Sequence, residues 1–283
     1  MIPEAVQEWL VEHSAGQVID DRPLGGGCIN YCQRIKTASG QIYFLKTNSQ
    51  SPAEMFAREA EGLAALKVRD GPRLPTPYLA GPDFLLLEYL APGERLPDFW
   101  SIFGQELTAL HLVISPRFGF DHDNFIGSTP QPNGWKENGF EFFAEQRLLF
   151  QARLANRRGL LSSREVSRVE RLGDRLGELI PRQPASLIHG DLWSGNLISD
   201  EHGLPALIDP AVYYGWAEAE LAMTALFGAF PLSFYHAYEL ARPLEKGYRE
   251  RFPIYNLYHL INHLNLFGEG YLAQVLAILD RYN

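Results

Sequence analysis

The sequence runs to 283 residues, 46% hydrophobic and 21% charged, a balance that fits a soluble globular chain and excludes a disordered or fibrous one. Twenty-five Lys and Arg face 34 Asp and Glu, and the net charge of −9 argues against a nucleic-acid partner, which needs a positive surface toward phosphates. An anionic ligand is still compatible with it, because a local basic pocket can form on an acidic protein.

The opening MIPEAVQEWL has neither a basic start nor a long apolar stretch, so no signal peptide is expected, and Pro3 to His13 reads as a helix with Val6, Trp9 and Leu10 on one face. A strand to Leu24, the turn Gly25-Gly26-Gly27, a strand through Tyr31, Gln33 and Ile35, the turn Ala38-Ser39-Gly40 and a strand from Gln41 to Lys46 make an antiparallel meander. Ser51-Pro52-Ala53-Glu54 predicts a capped helix running to about Leu66, burying Phe56, Leu63 and Leu66. Two more strands follow, near Tyr78-Leu79 and from Phe84 to Leu90. Cys28 and Cys32, in the glycine turn and the next strand, supply no disulfide framework and fit a reducing compartment. They read either as ordinary thiols or, if exposed and acidified, as a redox-sensitive group in a nucleotide loop.

After Ala91-Pro92-Gly93 the pattern turns helical, with helices predicted from Pro97 to Leu112, Glu141 to Asn156 and Ser163 to Ile180, and mostly helix to the end. Two apolar strands, Ser186-Leu187-Ile188 and Pro205 to Ile208, interrupt this half. The stretch Ser115 to Asn138 predicts a long loop ordered by its own aromatics, of the kind that carries binding residues. The longest apolar run, Leu221 to Phe234, is too short to span a bilayer, so no membrane partner is expected. The fold class is therefore α+β and two-lobed: residues 1–90 a β-rich nucleotide-binding lobe, residues 91–283 a helical lobe holding a catalytic loop and substrate pocket. A cleft between such lobes is the expected small-molecule site.

Chemistry concentrates in His189-Gly190-Asp191-Leu192-Trp193-Ser194-Gly195-Asn196 and in Asp209, thirteen residues on at the end of the second strand. An Asp, four intervening residues, an Asn and a strand-terminal Asp form the set that phosphoryl transfer from ATP needs, in the order kinases use. Asp191 is the expected base toward an acceptor hydroxyl, and Asn196 and Asp209 are the expected Mg2+ ligands. Lys46, ending its strand, reads as the grip on the α- and β-phosphates. Glu59 on the next helix is the partner that steadies it, in preference to Glu61. Gly25, Gly26 and Gly27 would let backbone amides approach phosphates, although a plain hairpin turn is equally good local chemistry. The strand ending Glu88-Tyr89-Leu90 runs into the lobe connector, where the backbone of Glu88 and Leu90 is placed to bond adenine.

With these residues assembled, the chain resembles the fructosamine kinase (ketosamine-3-kinase) family, relatives of the aminoglycoside phosphotransferases within the protein-kinase-like fold. The resemblance rests on GGGCIN (Gly25 to Asn30), FLK (Phe44 to Lys46), DNFIGSTPQPNGW (Asp123 to Trp135), HGDLWSGN, IDPAVYYG (Ile208 to Gly215), LAMTALFGAF (Leu221 to Phe230) and LYHLINHLNLFGEGY (Leu257 to Tyr271), nearly the whole chain. The cysteine usage fits a cytoplasmic location, and the resemblance implies an ATP- and Mg2+-dependent phosphotransferase acting on the sugar 3-hydroxyl of ketosamines. Those are fructosamine or ribulosamine adducts of small amines or protein lysines, and the phosphorylated adduct eliminates and releases the amine. An aminoglycoside- or choline-type acceptor, or a non-catalytic binding protein of the same fold, are the competing readings, and the chain is expected to act as a monomer or weak dimer.

The resemblance also places Trp193 and the helical face around His263 near the sugar. From the residues alone, Trp193 is equally a core aromatic and His263 a satisfied helix histidine. It implies a redox-sensitive Cys28 as well. Two departures stand out: WAEAELAM (Trp216 to Met223), where the family reads nearer HREADLAM, and Gly139-Phe140, where tryptophan is common. Glu220 is therefore expected to brace the catalytic loop with one methylene more than the usual Asp.

Overall fold

The computed structural model describes residues 2–25 and 30–282. Helix α1 (Glu4–Glu12) precedes strands β1 (Val18–Leu24), β2 (Tyr31–Thr37) and β3 (Ile42–Thr47); helix α2 (Met55–Ala65) follows, then β4 (Pro77–Ala80) and β5 (Phe84–Glu88). The strands form one antiparallel sheet in the order β1-β2-β3-β5-β4. Strand β5 is apolar on both faces because both faces are covered. Phe84 and Leu86 join Val6 and Leu10 of α1, while Leu85 and Leu87 join Phe56 and Leu63 of α2. Period-two alternation thus explains an uninterrupted Phe-Leu-Leu-Leu run.

The second half begins with α3 (Phe99–His111) and β6 (Ile114–Ser115), and the long loop folds into the hairpin β7 (Asn124–Ile126) and β8 (Thr129–Gln131). Helix α4 (Gly139–Phe142) runs through a π-helical segment, Phe143–Leu149, into α5 (Phe150–Arg157); α6 (Ser163–Asp174) and α7 (Leu176–Leu179) follow. Strands β9 (Ala185–Ile188), β10 (Leu197–Ser199), β11 (Pro205–Leu207) and β12 (Tyr213–Gly215) lead to α8 (Ala217–Thr224), α9 (Leu232–Ala241), α10 (Tyr248–Phe267) and α11 (Leu272–Tyr282). One hydrophobic core runs through this half, from Phe99 on α3 to Leu279 on α11. Among the described residues no helix is long and apolar enough to cross a membrane.

Four sequence expectations need correcting. Ser51 does not cap α2: the helix starts after Glu54 in a left-handed conformation (φ 66°), with no side-chain cap, and the Ser51 hydroxyl donates to the Pro82 carbonyl instead. The helix expected from Glu141 to Asn156 carries the π segment, and the one from Ser163 to Ile180 breaks at Arg175. The loop from Ser115 to Asn138 contains the β7–β8 hairpin, locked by Gln131, which donates to both Asn124 and the Ala211 carbonyl.

The halves are tied beside the connector. The Leu207 N–H donates to the Arg73 carbonyl at 2.8 Å, and the Arg73 guanidinium reaches Glu88 at 2.9 Å, Asp200 at 2.6 Å and Glu201 at 2.8 Å. The connector lies against the β10–β11 turn, where the Gly93 N–H donates to the Ser199 carbonyl and a Cβ at Gly93 would sit 2.3 Å from the Asp200 carbonyl.

Candidate active site

Lys46 projects from β3 into the cleft with its side chain only 3% exposed, and its ammonium donates to Glu59 on α2 at 2.6 Å and to Asp209 at 2.5 Å. Burial opposes a charge here, but the Asp209 and Glu59 carboxylates outweigh it and hold the Lys46 pKa above the usual lysine range. Glu61, one helical step round, pairs with Arg58 and His122 instead. Asp209 itself sits in the left-handed region (φ 57°), an uncommon conformation for a residue other than glycine.

The loop between β9 and β10 carries the other expected residues. The Asn196 amide donates to the Asp191 carbonyl at 2.8 Å and to its carboxylate at 3.1 Å. Burial, then the nearby Asp209 charge, pushes the Asp191 carboxyl up to about 7, against the Asn196 hydrogen bond. A base whose pKa lies near the working pH is matched to taking a hydroxyl proton. The loop is held from beneath by Glu220 on α8. Its carboxylate accepts the N–H groups of His189 at 2.9 Å and Gly190 at 2.7 Å, and the His111 Nε2 at 2.9 Å. The Tyr238 hydroxyl, 2.8 Å from His111 Nδ1, completes this buried chain. His189 Nε2 lies 2.9 Å from the Ile208 carbonyl, which accepts only, so that nitrogen carries the proton. At Gly190 (φ 86°) a Cβ would lie 2.0 Å from the Ala211 carbonyl, so the β9–β10 loop and the loop after Asp209 are in direct backbone contact.

Two cavities meet at these residues. One, of about 570 Å3, lies beneath the connector and is lined by Gly25, Glu88, Tyr89, Leu90 and Arg95. The other, of about 200 Å3, is lined by Lys46, Asp191, Trp193, Asn262, His263 and Phe267. Trp193, Asn196, Asp209 and Cys32 border both. Glu88 needs a refinement: its N–H is committed to the Thr76 carbonyl and its carboxylate to Arg73 and Thr76. Gly26, Gly27 and Cys28 lie outside the described residues. Cys32 is half-buried, and burial pushes its thiol up to about 11.

Sequence reasoning did not single out Arg58, Asn124, Asn262 or Phe267 on the second cavity, nor Arg73 beside the first. Only the motif stretches around Asn124, Asn262 and Phe267 signalled those three, and nothing marked either arginine.

Comparison with known proteins decides the family. A family model described as fructosamine kinase matches residues 2–283. The chain belongs to the fructosamine kinase family. Members of the family are kinases that transfer phosphate from ATP to an alcohol group. The chain is 43% identical to a Synechocystis protein named "Probable ketoamine kinase", over 96% of this chain and 94% of that one. It is 36% identical to the Arabidopsis thaliana protein-ribulosamine 3-kinase, over 100% and 88% of the two chains. A crystal structure from Thermobifida fusca, described as a candidate fructosamine-3-kinase, superposes with a TM-score of 0.88 at 32% identity, covering 99% of this chain and 98% of that one. The fold extends to aminoglycoside phosphotransferase APH(4)-Ia, with a TM-score of 0.63 at 16% identity and 98% of each chain covered, which makes the architecture protein-kinase-like.

Proposed function

We propose that the chain transfers the γ-phosphoryl group of ATP to the sugar 3-hydroxyl of ketosamines, and that Asp191, Asn196, Asp209, Lys46 and Glu59 carry the reaction. The observation that carries this reading is the meeting of the two cavities: Asp191 and the Lys46–Asp209 pair stand where a nucleotide's phosphates and an acceptor hydroxyl would adjoin. The Arabidopsis relative's name, protein-ribulosamine 3-kinase, supports the hydroxyl and the acceptor class.

In the larger cavity adenine would lie beneath the connector against Leu87 and Leu90, with the Glu88 carbonyl and the Leu90 N–H as its backbone partners. Lys46, steadied by Glu59, holds phosphate oxygens. Asp191 orients the acceptor hydroxyl and takes its proton while oxygen 3 bonds to the γ-phosphorus. The bond from that phosphorus to the β–γ bridging oxygen breaks, and ADP leaves.

The donor set fits magnesium. The Asn196 amide nitrogen is spent on Asp191, which leaves its oxygen as an acceptor, and Asp209 uses one carboxylate oxygen on Lys46, leaving the other. Among the described residues no cluster of three His, Cys, Asp or Glu could cage a metal. Two hard oxygen ligands, the Asn196 amide oxygen and the second Asp209 carboxylate oxygen, would hold a magnesium ion, which prefers oxygen donors. Bound there, the ion neutralises phosphate charge.

The test is ADP release across ribulosamine, erythrulosamine and fructosamine adducts, a panel of aminoglycosides, and choline, with and without magnesium. Magnesium-dependent turnover confined to the adducts is the expected result. Turnover of aminoglycosides or choline in place of the adducts would reassign the acceptor, and turnover of nothing in the panel would sink the reading.

A further inference from the structure

Helix α2 carries two glutamates that face opposite ways. Each residue turns an α-helix by about 100°, so Glu59 and Glu61 project roughly 200° apart. Glu59 reaches Lys46 of the sheet at 2.6 Å. Glu61 reaches the helical half, where its Oε1 lies 2.7 Å from Nδ1 of His122, in the loop before β7. A carboxylate accepts only, so that nitrogen carries the proton. The other Glu61 oxygen accepts from Arg58 at 2.8 Å, which fixes the carboxylate's orientation.

His122 stands on the core of the helical half. Its carbonyl accepts the Asn133 side-chain N–H at 3.1 Å, and the Asn133 backbone N–H donates to Asp123 at 2.7 Å. The Asn133 amide oxygen accepts at 2.7 Å from Arg147, on the π-helical segment. Asn133 and Arg147 are both fully buried, and the Arg147 guanidinium lies 3.8 Å from the centre of the Tyr213 ring. The remaining contacts of α2 are apolar. Phe56 and Leu63 join Leu85 and Leu87 of the sheet, Leu66 joins the core of the helical half, and a Cβ on Gly62 would sit 3.1 Å from the Val212 side chain. Apolar packing is non-directional, whereas a hydrogen bond fixes an angle. The Glu61–His122 contact therefore sets the rotation of α2 against the helical half.

We propose that His122 is a positioning residue for phosphoryl transfer: by holding Glu61 on the helical half, it sets the turn of α2 that aims Glu59 at Lys46. The inference rests on the phosphate-holding role given above to the Lys46–Glu59 pair. It adds the contact that keeps this pair in register with Asp191 and Asp209 across the cleft.

The test measures kcat for a ribulosamine adduct in the parent, His122→Ala, His122→Asn, Glu59→Gln and the His122→Ala/Glu59→Gln double variant. The His122 side chain is 53% exposed, so its truncation leaves the core intact. A partly exposed pair is worth up to about fivefold, and His122→Ala should lower kcat by roughly that factor with little change in acceptor KM. His122→Asn puts an amide N–H where Nδ1 stood and should recover the parent rate to within about twofold. In the Glu59→Gln background, His122→Ala should cost less than about twofold, because it acts through Glu59; a merely structural contact would cost the same in both backgrounds. Equal losses in the two backgrounds, no loss in His122→Ala, or no recovery in His122→Asn would each overturn the positioning role and leave the Lys46–Glu59 reading standing. If Glu59→Gln turns over as fast as the parent, the phosphate-holding role is misassigned and both fall. Where turnover is too slow to compare, the same cycle read by equilibrium titration of ATP decides between these outcomes.

Discussion

Arg73, from the segment before β4, donates to the buried carboxylate of Asp200 in the β10–β11 turn at 2.6 Å. The same guanidinium holds Glu88, where the sheet gives way to the connector, so one side chain fixes the angle between sheet and helical half. Arg73→Ala leaves Asp200, with its side chain 1% exposed, on backbone N–H groups alone. Because the arginine is partly exposed, the expected loss is roughly 2 kcal/mol, below the value for a fully buried pair. Urea unfolding at pH 7 measures it; a loss under about 0.5 kcal/mol would show that the clamp is ornamental.

Glu220 supports the second prediction. Its two oxygens reach His189 and Gly190 together because the glutamate is long enough to span both N–H groups. Glu220→Asp shortens that reach and shifts the loop that carries Asp191. A displacement of about 1 Å at a reacting group costs about a hundredfold in rate, so kcat should fall by roughly that factor while nucleotide KM changes little. Full activity in the aspartate variant would show that the brace tolerates either length.

Asp191→Asn removes the proton acceptor and keeps the shape. Turnover should fall by roughly 10²- to 10⁴-fold, the usual worth of a positioned base. Nucleotide affinity, read by equilibrium titration, should stay within about twofold, because Lys46 and the connector pocket are untouched. Retained ADP release would remove Asp191 from the chemistry.

Glu106 on α3 gives a pH prediction away from the site. Burial, then the Asp200 charge, pushes its carboxyl up to about 7, and its Oε2 lacks a hydrogen-bond partner among the described residues. The sign follows from linkage. Below the unfolded value of about 4.3 both states are protonated and Glu106 makes no difference, whereas above 7 the folded state carries the full cost of a buried charge. The cost therefore sets in as pH rises between those limits. Glu106→Gln should raise the melting temperature at pH 8 and leave it nearly unchanged at pH 4. An equal effect at both would refute the cause.

Much of this was legible because phosphate chemistry uses few residue types at fixed spacing. HGDLWSGN and Asp209 stood out as a unit, and the apolar strand before Lys46 with Glu59 thirteen residues on predicted a pair that is 2.6 Å apart in the folded chain. The unreadable parts depend on three-dimensional neighbours. Strands β6, β10 and β12 span two or three residues, too short for any period to register. The Ser51-Pro52 cap failed because the chain turns once more before α2, spending Glu54 in the left-handed region. Arg73 sits in ordinary sequence, and only folding brings it against Glu88 and Asp200 beside the larger cavity. Trp216 shows how a departure from the family pattern is absorbed: it packs against Phe118, Phe140, Phe143 and Tyr255 behind the catalytic strands, and a Cβ on Gly139 would press within 2.5 Å of Phe118.

The contact at Gly190 has a consequence for how such enzymes diverge. With no room for even a methyl group between Gly190 and Ala211, the floor bearing 191, 196 and 209 behaves as one casting. Evolution can retune the catalytic engine there only by rebuilding it whole. Novelty is cheaper on the facing surface, where Phe267 at the end of α10 stands half exposed.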